Sequence, residues 1–230
     1  MEAIVLAGGF GTRLKSVISD VPKPMAPIGG EPFLAYIVNY LLTQHVTKII
    51  LSTGYMHEAI EGYFTNEFND IEIQYAREFA PLGTGGAIKS ALTLTSCSDV
   101  YILNGDTYFM ADLDMLRRQH LNSNAVVTLS LKPMDRCERY GVVEVSDGIV
   151  KAFHEKGHIT QGLINGGVYL VNKQAFLKHA ATDVFSFEKD FLEKHVHTIA
   201  MHACVFDRYF IDIGVPEDYF RAQSELTDDE

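Results

Sequence analysis

The sequence predicts an α/β fold: a doubly wound, mainly parallel mixed sheet flanked by helices, with a smaller and less regular second lobe. Through the first half of the 230 residues, short apolar β-branched runs alternate with amphipathic stretches. That is the pattern of strands separated by crossover helices. The second half replaces the alternation with closely spaced strand-like runs. With 47% hydrophobic residues, 14 Phe and 11 Tyr, the chain can fill a core between sheet and helices.

Taken in order, Ala3–Leu6, Lys48–Ser52, Ile71–Tyr75 and Val100–Leu103 read as strands. Phe33–Gln44, Glu58–Phe64, Gly86–Leu94 and Leu113–Leu121 carry helical periodicity. A sheet of this kind keeps its ligands at the C-terminal ends of its strands. Further on, Ala125–Lys132, Gly141–Ser146, Ile149–Phe153 and Val168–Val171 are strand-like, and Asp147-Gly148 is a hairpin signal. Helices are expected near Lys173–His179 and Phe187–Lys194, and strands near Thr198–Phe206 and Tyr209–Ile213. A last helix over Glu217–Leu226 precedes a frayed acidic tail. With no linker, repeat or low-complexity segment, the chain reads as a single domain over 1–230, its halves meeting near residue 122 and the second running to about 226.

Charge narrows the partners. A formal net charge of −11 and no Lys/Arg cluster argue against nucleic acid. A small polyanion then has to be gripped by a few cations converging in a cleft. Cys97, Cys137 and Cys204 are odd in number, scattered and form no CxxC pattern, so no disulfide framework is expected. The opening Met-Glu-Ala-Ile-Val-Leu lacks the basic start of a signal peptide, and no apolar run reaches membrane-spanning length. A cytoplasmic protein without a membrane partner is the expectation.

The first strand runs into Gly8-Gly9-Phe10-Gly11-Thr12-Arg13-Leu14, followed by a loop carrying Pro22, Lys23, Pro24 and Pro27. Glycines let backbone N–H groups approach phosphate oxygens without an intervening Cβ. Arg13 adds a forked donor that suits two phosphate oxygens. Two better-known loops are excluded: Leu14 stands where the dinucleotide fingerprint needs Gly or Ala, and no GxxxxGK[ST] occurs. The glycines alone fit a structural turn equally well.

With Lys23-Pro24-Met25, this segment resembles the signature of the sugar-phosphate nucleotidyltransferase family. The likeness continues in the family's order through Pro81-Leu82-Gly83-Thr84-Gly85-Gly86-Ala87 and Asn104-Gly105-Asp106-Thr107. Next come Tyr140-Gly141-Val142-Val143, Phe153-His154-Glu155-Lys156 and Asn165-Gly166-Gly167-Val168-Tyr169, and then the closing Asp212-Ile213-Gly214-Val215-Pro216-Glu217-Asp218-Tyr219. The resemblance implies a Rossmann-like fold with a nucleotide-binding first half and a sugar-binding second lobe. It implies catalysis by Arg13 and Lys23, and nucleotide contacts from Leu6, Ala7, Gly8, Gly9, Gly11, Thr12, Arg13, Lys23, Gly83, Thr84, Gly86 and Asp106. Gly141, Glu155, Lys156 and Asn165 would hold the sugar phosphate, Lys156 on its phosphate. Many relatives have Pro after the Glu-Lys pair where this chain has Gly157.

Two carboxylates from distant segments, Asp106 and Asp212, suit a Mg²⁺ ion whose remaining places are taken by phosphate oxygens and water. Oxygen-ligand hardness favours Mg²⁺. Read alone, Asp106 is equally a turn residue and Asp212 a helix-start acid, and single lysines such as Lys23 and Lys156 are usually solvated. His154-Glu155-Lys156-Gly157-His158 also satisfies HExxH, but zinc binding there needs a helix, and the strand-like approach and Gly157 argue against one.

Within the family, the Pro81–Ala87, Arg139–Val143 and Ile164–Tyr169 segments are most similar to the guanylyltransferases of D-glycero-D-manno-heptose 1-phosphate. That implies GTP and a sugar 1-phosphate as partners, and a GDP-heptose for bacterial capsule or lipopolysaccharide synthesis. The alternatives are mannose-1-phosphate guanylyltransferase, glucose-1-phosphate thymidylyl- or uridylyltransferase, and a non-catalytic sugar-nucleotide-binding homologue. Retention of Arg13, Lys23 and Asp106 favours an enzyme. Hexapeptide repeats, and so an appended acyl-transfer domain, are not expected. A homodimer is expected only from the general frequency of closed symmetric oligomers.

Overall fold

The sheet is built outward from β1 (Glu2–Leu6), whose Ala3, Ile4 and Val5 are wholly buried. A strand covered on both faces needs a continuous apolar run rather than alternation. The computed structural model describes residues 1–9, 14, 17–18, 20–155, 157, 161–180 and 182–227. After β1 come a short hairpin, β2 (Pro27–Ile28) and β3 (Glu31–Pro32), then α1 (Phe33–Thr43), β4 (Lys48–Thr53) and α2 (His57–Phe64). The first half continues with β5 (Glu67–Phe68), β6 (Ile71–Arg77), α3 (Gly83–Ala91), β7 (Asp99–Asn104), β8 (Thr107–Phe109) and α4 (Leu113–Ser123). The second half holds β9 (Val127–Asp135), β10 (Val142–Ser146), β11 (Ile149–His154), β12 (Gln161–Asn172) and α5 (Lys173–His179). A π-helical turn (Phe187–Glu193), β13 (Met201–Val205), β14 (Phe210–Asp212) and α6 (Pro216–Glu225) complete the order.

The main sheet runs β10-β11-β13-β9-β12-β7-β1-β4-β6-β5. Its parallel character is concentrated in β7-β1-β4-β6, as the strand–helix alternation of the first half requires. The chain steps from β1 to β4 to β6 on one side, then crosses back to β7 on the other. The C-terminal ends of β1 and β7 therefore flank the point where the winding reverses, which is where a doubly wound sheet opens a crevice. In the second half only β9 and β13 pair in parallel. The rest is antiparallel, and β10 also touches β12, so the strands there curl back on one another.

Successive residues of the central strands feed opposite faces. Val5, Leu51, Tyr101 and Leu103 enter one apolar cluster, and Ile4, Ile50, Val100 and Ile102 the other. Both clusters draw side chains from both halves of the chain. Local signals fix the ends of elements: Asp112 caps α4 by accepting from Met115 N (2.7 Å), and Asn172 caps α5 from Ala175 N (3.0 Å). Asp147 (φ 53°) and Gly148 (φ 74°) make the left-handed turn that joins β10 to β11.

Two expectations are refined. The strand foreseen at Val168–Val171 begins at Gln161, because Asn165-Gly166-Gly167 is an irregularity inside one long strand and not a turn before a short one. The helix foreseen near Phe187–Lys194 starts as a π-helical turn. Among the described residues no helix is long and apolar enough to cross a membrane.

Candidate active site

A cleft of about 550 Å³ opens at the reversal point. Its floor is set by how closely β1 and β7 approach. Gly105 N donates to Leu6 O at 2.9 Å, and a Cβ on Gly105 would lie 2.6 Å from that oxygen, so only glycine fits after β7. Leu6, Gly8 and Gly9 line the cleft directly. A Cβ on Gly8 would meet the Glu78 carboxylate at 2.7 Å.

Lys23 enters from a 3-10 turn, Lys23–Met25, whose Pro24 and Met25 are buried and anchor it. Its side chain is 11% exposed, and its ammonium lies 2.6 Å from Asp106 Oδ2 and 3.6 Å from Asp212 Oδ1. Lys23 thus departs from the usual solvated lysine and stands in the cleft. A short ladder brings the two carboxylates together: β8 and β14 pair antiparallel with Asp212 opposite Thr107, and Ile213 N donates to Asp106 O at 3.1 Å. Asp212 ends β14 and accepts from Gly214 N at 2.7 Å. It lies short of α6, so the helix-start reading of Asp212 fails.

Burial pushes the Asp212 carboxyl above the ordinary aspartate value, and the facing charge of Asp106 pushes the same way. Lys23 and the Gly214 N–H offset this only in part. Two crowded carboxylates sharing one ammonium form an acceptor-rich, hard-oxygen pair suited to a divalent cation. Among the described residues no third His, Cys, Asp or Glu joins them in a metal-holding group, so the other places would fall to phosphate oxygens and water.

On the opposite wall, Gly83, Thr84 and Ala87 of α3 line the cleft, whereas Gly86 does not. A Cβ on Gly86 would lie 2.1 Å from Asp183 O, so that glycine seats the segment before the π-helical turn. Gly83 (φ 69°) and Gly85 meet Phe185 in the same way, Gly85 N donates to Phe185 O at 3.0 Å, and Phe187 N donates to the Thr84 hydroxyl at 2.8 Å. This contact carries Phe187 and Glu188 into the cleft.

Of the sequence-derived residues, Leu6, Gly8, Gly9, Lys23, Gly83, Thr84, Asp106 and Asp212 come together here. Ala7 is buried behind them, its N–H bonded to Ser52 O at 2.8 Å. Gly141, Glu155 and Asn165 are not in the lining. Asn165 reaches it through Tyr169, a lining residue whose hydroxyl accepts from Asn165 Nδ2 at 2.8 Å. Gly11, Thr12, Arg13 and Lys156 lie outside the described residues, as does His158. His154 ends strand β11, against the helix that a zinc motif would need.

Sequence reasoning passed over Glu78 and Glu188. Glu78 follows β6, a parallel strand whose C-terminal end faces the crevice, and that position could have flagged it. It accepts from Ser52 Oγ (3.2 Å) and Leu82 N (3.3 Å), which fixes its carboxylate beside Gly8. Glu188 had no such signal, because a π-helical turn brings it in.

A glycine-lined crevice at a strand-order reversal, holding one lysine and two apposed carboxylates, defines a doubly wound phosphate-handling enzyme. The chain belongs to the nucleotidyl transferase family, whose model, described as "Nucleotidyl transferase", matches residues 2–229. It is 52% identical over 226 residues, 98% of each chain, to the D-glycero-alpha-D-manno-heptose 1-phosphate guanylyltransferase of Aneurinibacillus thermoaerophilus. Its identity to the Campylobacter jejuni subsp. jejuni protein of that name is 49% over 221 residues, 96% of this chain and 97% of the relative. Among solved structures, HddC from Yersinia pseudotuberculosis superposes with a TM-score of 0.88 at 40% identity, covering 98% of this chain and 99% of that one. HddC complexed with GMP-PN gives 0.87 at 39% identity over the same shares.

Proposed function

We propose that the chain transfers a guanylyl group from GTP to D-glycero-α-D-manno-heptose 1-phosphate, giving GDP-heptose and pyrophosphate for bacterial surface polysaccharide. The observation that carries the chemistry is Lys23 held between Asp106 and Asp212 at the reversal point. The choice of substrates is supported by near-full-length identity to two heptose 1-phosphate guanylyltransferases and by the GMP-PN complex of a close structural neighbour.

In this reading a phosphate oxygen of the sugar 1-phosphate attacks the α-phosphorus of GTP in line. One P–O bond forms as the bond to the β-phosphate oxygen breaks. A phosphate monoester has a second pKa of about 6, so the nucleophile is already ionised at neutral pH and no general base is needed. The barrier lies in bringing two polyanions together and in charge on the departing pyrophosphate. Lys23 supplies positive charge from a fixed, mostly buried position, with Arg13 and Lys156 assigned to the same task. Asp106 and Asp212 would hold Mg²⁺, which when bound neutralises phosphate charge at the reacting centre.

Glu78 is our candidate for reading the base. A fixed carboxylate offers only acceptors, and guanine presents N–H donors, among them its exocyclic amino group. The test is pyrophosphate release across four nucleoside triphosphates and a panel of heptose, mannose and glucose 1-phosphates. Release confined to GTP with the heptose is expected, and Glu78→Gln is expected to erode the preference for GTP. No release with any pair would overturn the enzyme reading, and release with another pair would overturn the substrate assignment.

A further inference from the structure

We propose that Asp218 is a positioning residue for the sugar phosphate, clamping Arg139, and with it Tyr140 and Gly141, against the helix that follows Asp212. The proposal rests on the sugar 1-phosphate reading above, with Gly141 beside the sugar.

Asp218 stands in the first turn of α6 and is 4% exposed. A carboxylate so deep must be paired. Its Oδ1 lies 3.2 Å from Arg221 Nη1, one turn further along the same helix. Its Oδ2 accepts from Arg139 Nη2, which arrives from the connection between β9 and β10, 79 residues earlier in the chain. Arg221 alone meets the charge of Asp218 locally, so the Arg139 contact is the one that ties two distant segments together.

Tyr140 makes the tie rigid. The Arg139 guanidinium carbon lies 5.7 Å from the Tyr140 ring centroid, and that ring stands edge-on to Phe210 at 5.9 Å and 78°. Phe210 lies on β14, two residues before Asp212. The Arg139-Tyr140 pair thus grips the strand that ends at Asp212 and the helix that begins after it. Tyr140 N donates to Cys137 O at 2.9 Å, closing the turn, and the next residue is Gly141. An ideal Cβ built on Gly141 would sit 3.2 Å from the carbonyl of His154, the neighbour of Glu155. Loosening Arg139 therefore frees the segment assigned to the sugar, while Asp212 keeps its place opposite Thr107 and its bond from Gly214 N, and Lys23, Asp106 and the α3 wall stand outside the clamp.

Arg139→Ala and Asp218→Asn are each expected to raise KM for the sugar 1-phosphate about tenfold, with the GTP dissociation constant held within about twofold. The double variant is expected to be no worse than Asp218→Asn alone, since both substitutions break the same Arg139–Asp218 contact. Equal losses for both substrates, or additive effects, would overturn the clamp. Arg139 is half-exposed, so its variant keeps the fold even where Asp218→Asn does not. Hydrogen exchange without substrate supplies an arm independent of turnover. Amides 138–143 are expected to exchange faster in both variants while β1 and β4 stay protected, and unchanged exchange at 138–143 would also overturn the proposal. A wild-type protein that turns over no substrate pair would sink the functional reading alone.

Discussion

Lys23 concentrates the chemistry at the level of single residues. Its ammonium is the partner shared by two carboxylates, so removing it leaves Asp106 and Asp212 repelling each other and, in the proposed reading, takes a cation from the triphosphate. Lys23→Ala and Asp106→Ala are each expected to lower turnover on the order of a hundredfold or more, with far-UV circular dichroism showing the fold intact. Near-normal rates in both purified variants would remove them from the machinery. Asp212 makes a separate prediction about pH. Its folded pKa is raised, so the ionised form costs stability: the penalty is absent well below 3.8, the ordinary value, and complete above the raised folded value. Asp212→Asn is expected to melt higher than wild type at pH 7, with the difference narrowing as pH is lowered through 3.8, and to be inactive. A wild-type advantage at pH 7 would contradict the burial argument. Much of this residue level was legible, since Lys23, Asp106 and Asp212 all stand in recognisable motifs. Glu78 was passed over, although its place just past the C-terminal end of a parallel strand could have flagged it.

At the level of elements, the site depends on short pieces that periodicity does not reveal. β8 and β14 are three residues each, yet their ladder sets the spacing of the two carboxylates. Their sequences bracket the motifs without announcing a pairing between segments a hundred residues apart. The glycines of α3 are similar. The resemblance implies nucleotide contacts from Gly83 and Gly86; Gly83 lines the cleft, and Gly86 packs against the backbone before the π-helical turn. Gly86→Ala would drive a methyl group into Asp183 O and is expected to cost about 1–3 kcal/mol, read as a lower urea midpoint. Its effect on nucleotide binding is expected to follow from displacement of Phe187 and Glu188. An unchanged midpoint would show that the segment yields freely. Long, strongly patterned elements were read well: α1, β4, β6, β7 and α5 fall within a residue or two of expectation. β12 was read short, because glycines inside a strand look like the turns that end one.

The whole molecule is organised on one ten-stranded sheet in which a parallel half and a largely antiparallel half meet at the β7–β12 pair. The class of fold was legible from alternation in the first half, and the curled second half was not, because its single-residue bridges leave no mark on periodicity. Binding is a property of this scale, since a ligand held by both halves stabilises all of it. A nucleotide at a hundredfold excess over its dissociation constant contributes about 2.7 kcal/mol. GTP with Mg²⁺ is expected to raise the melting temperature, and EDTA to remove most of that rise together with pyrophosphate release. A rate unaffected by the chelator would remove the cation from the reading.

The β7–β12 seam also bears on how the chain is made. β7 finds its first neighbour, β1, among residues already synthesised, but its other neighbour is β12, which begins only at Gln161. A chain still growing on the ribosome therefore carries β7 with an open row of backbone donors and acceptors, a template for mispairing with other nascent chains. That edge stays open through the interval between Asn104 and Val168, where the pairing of β12 with β7 begins.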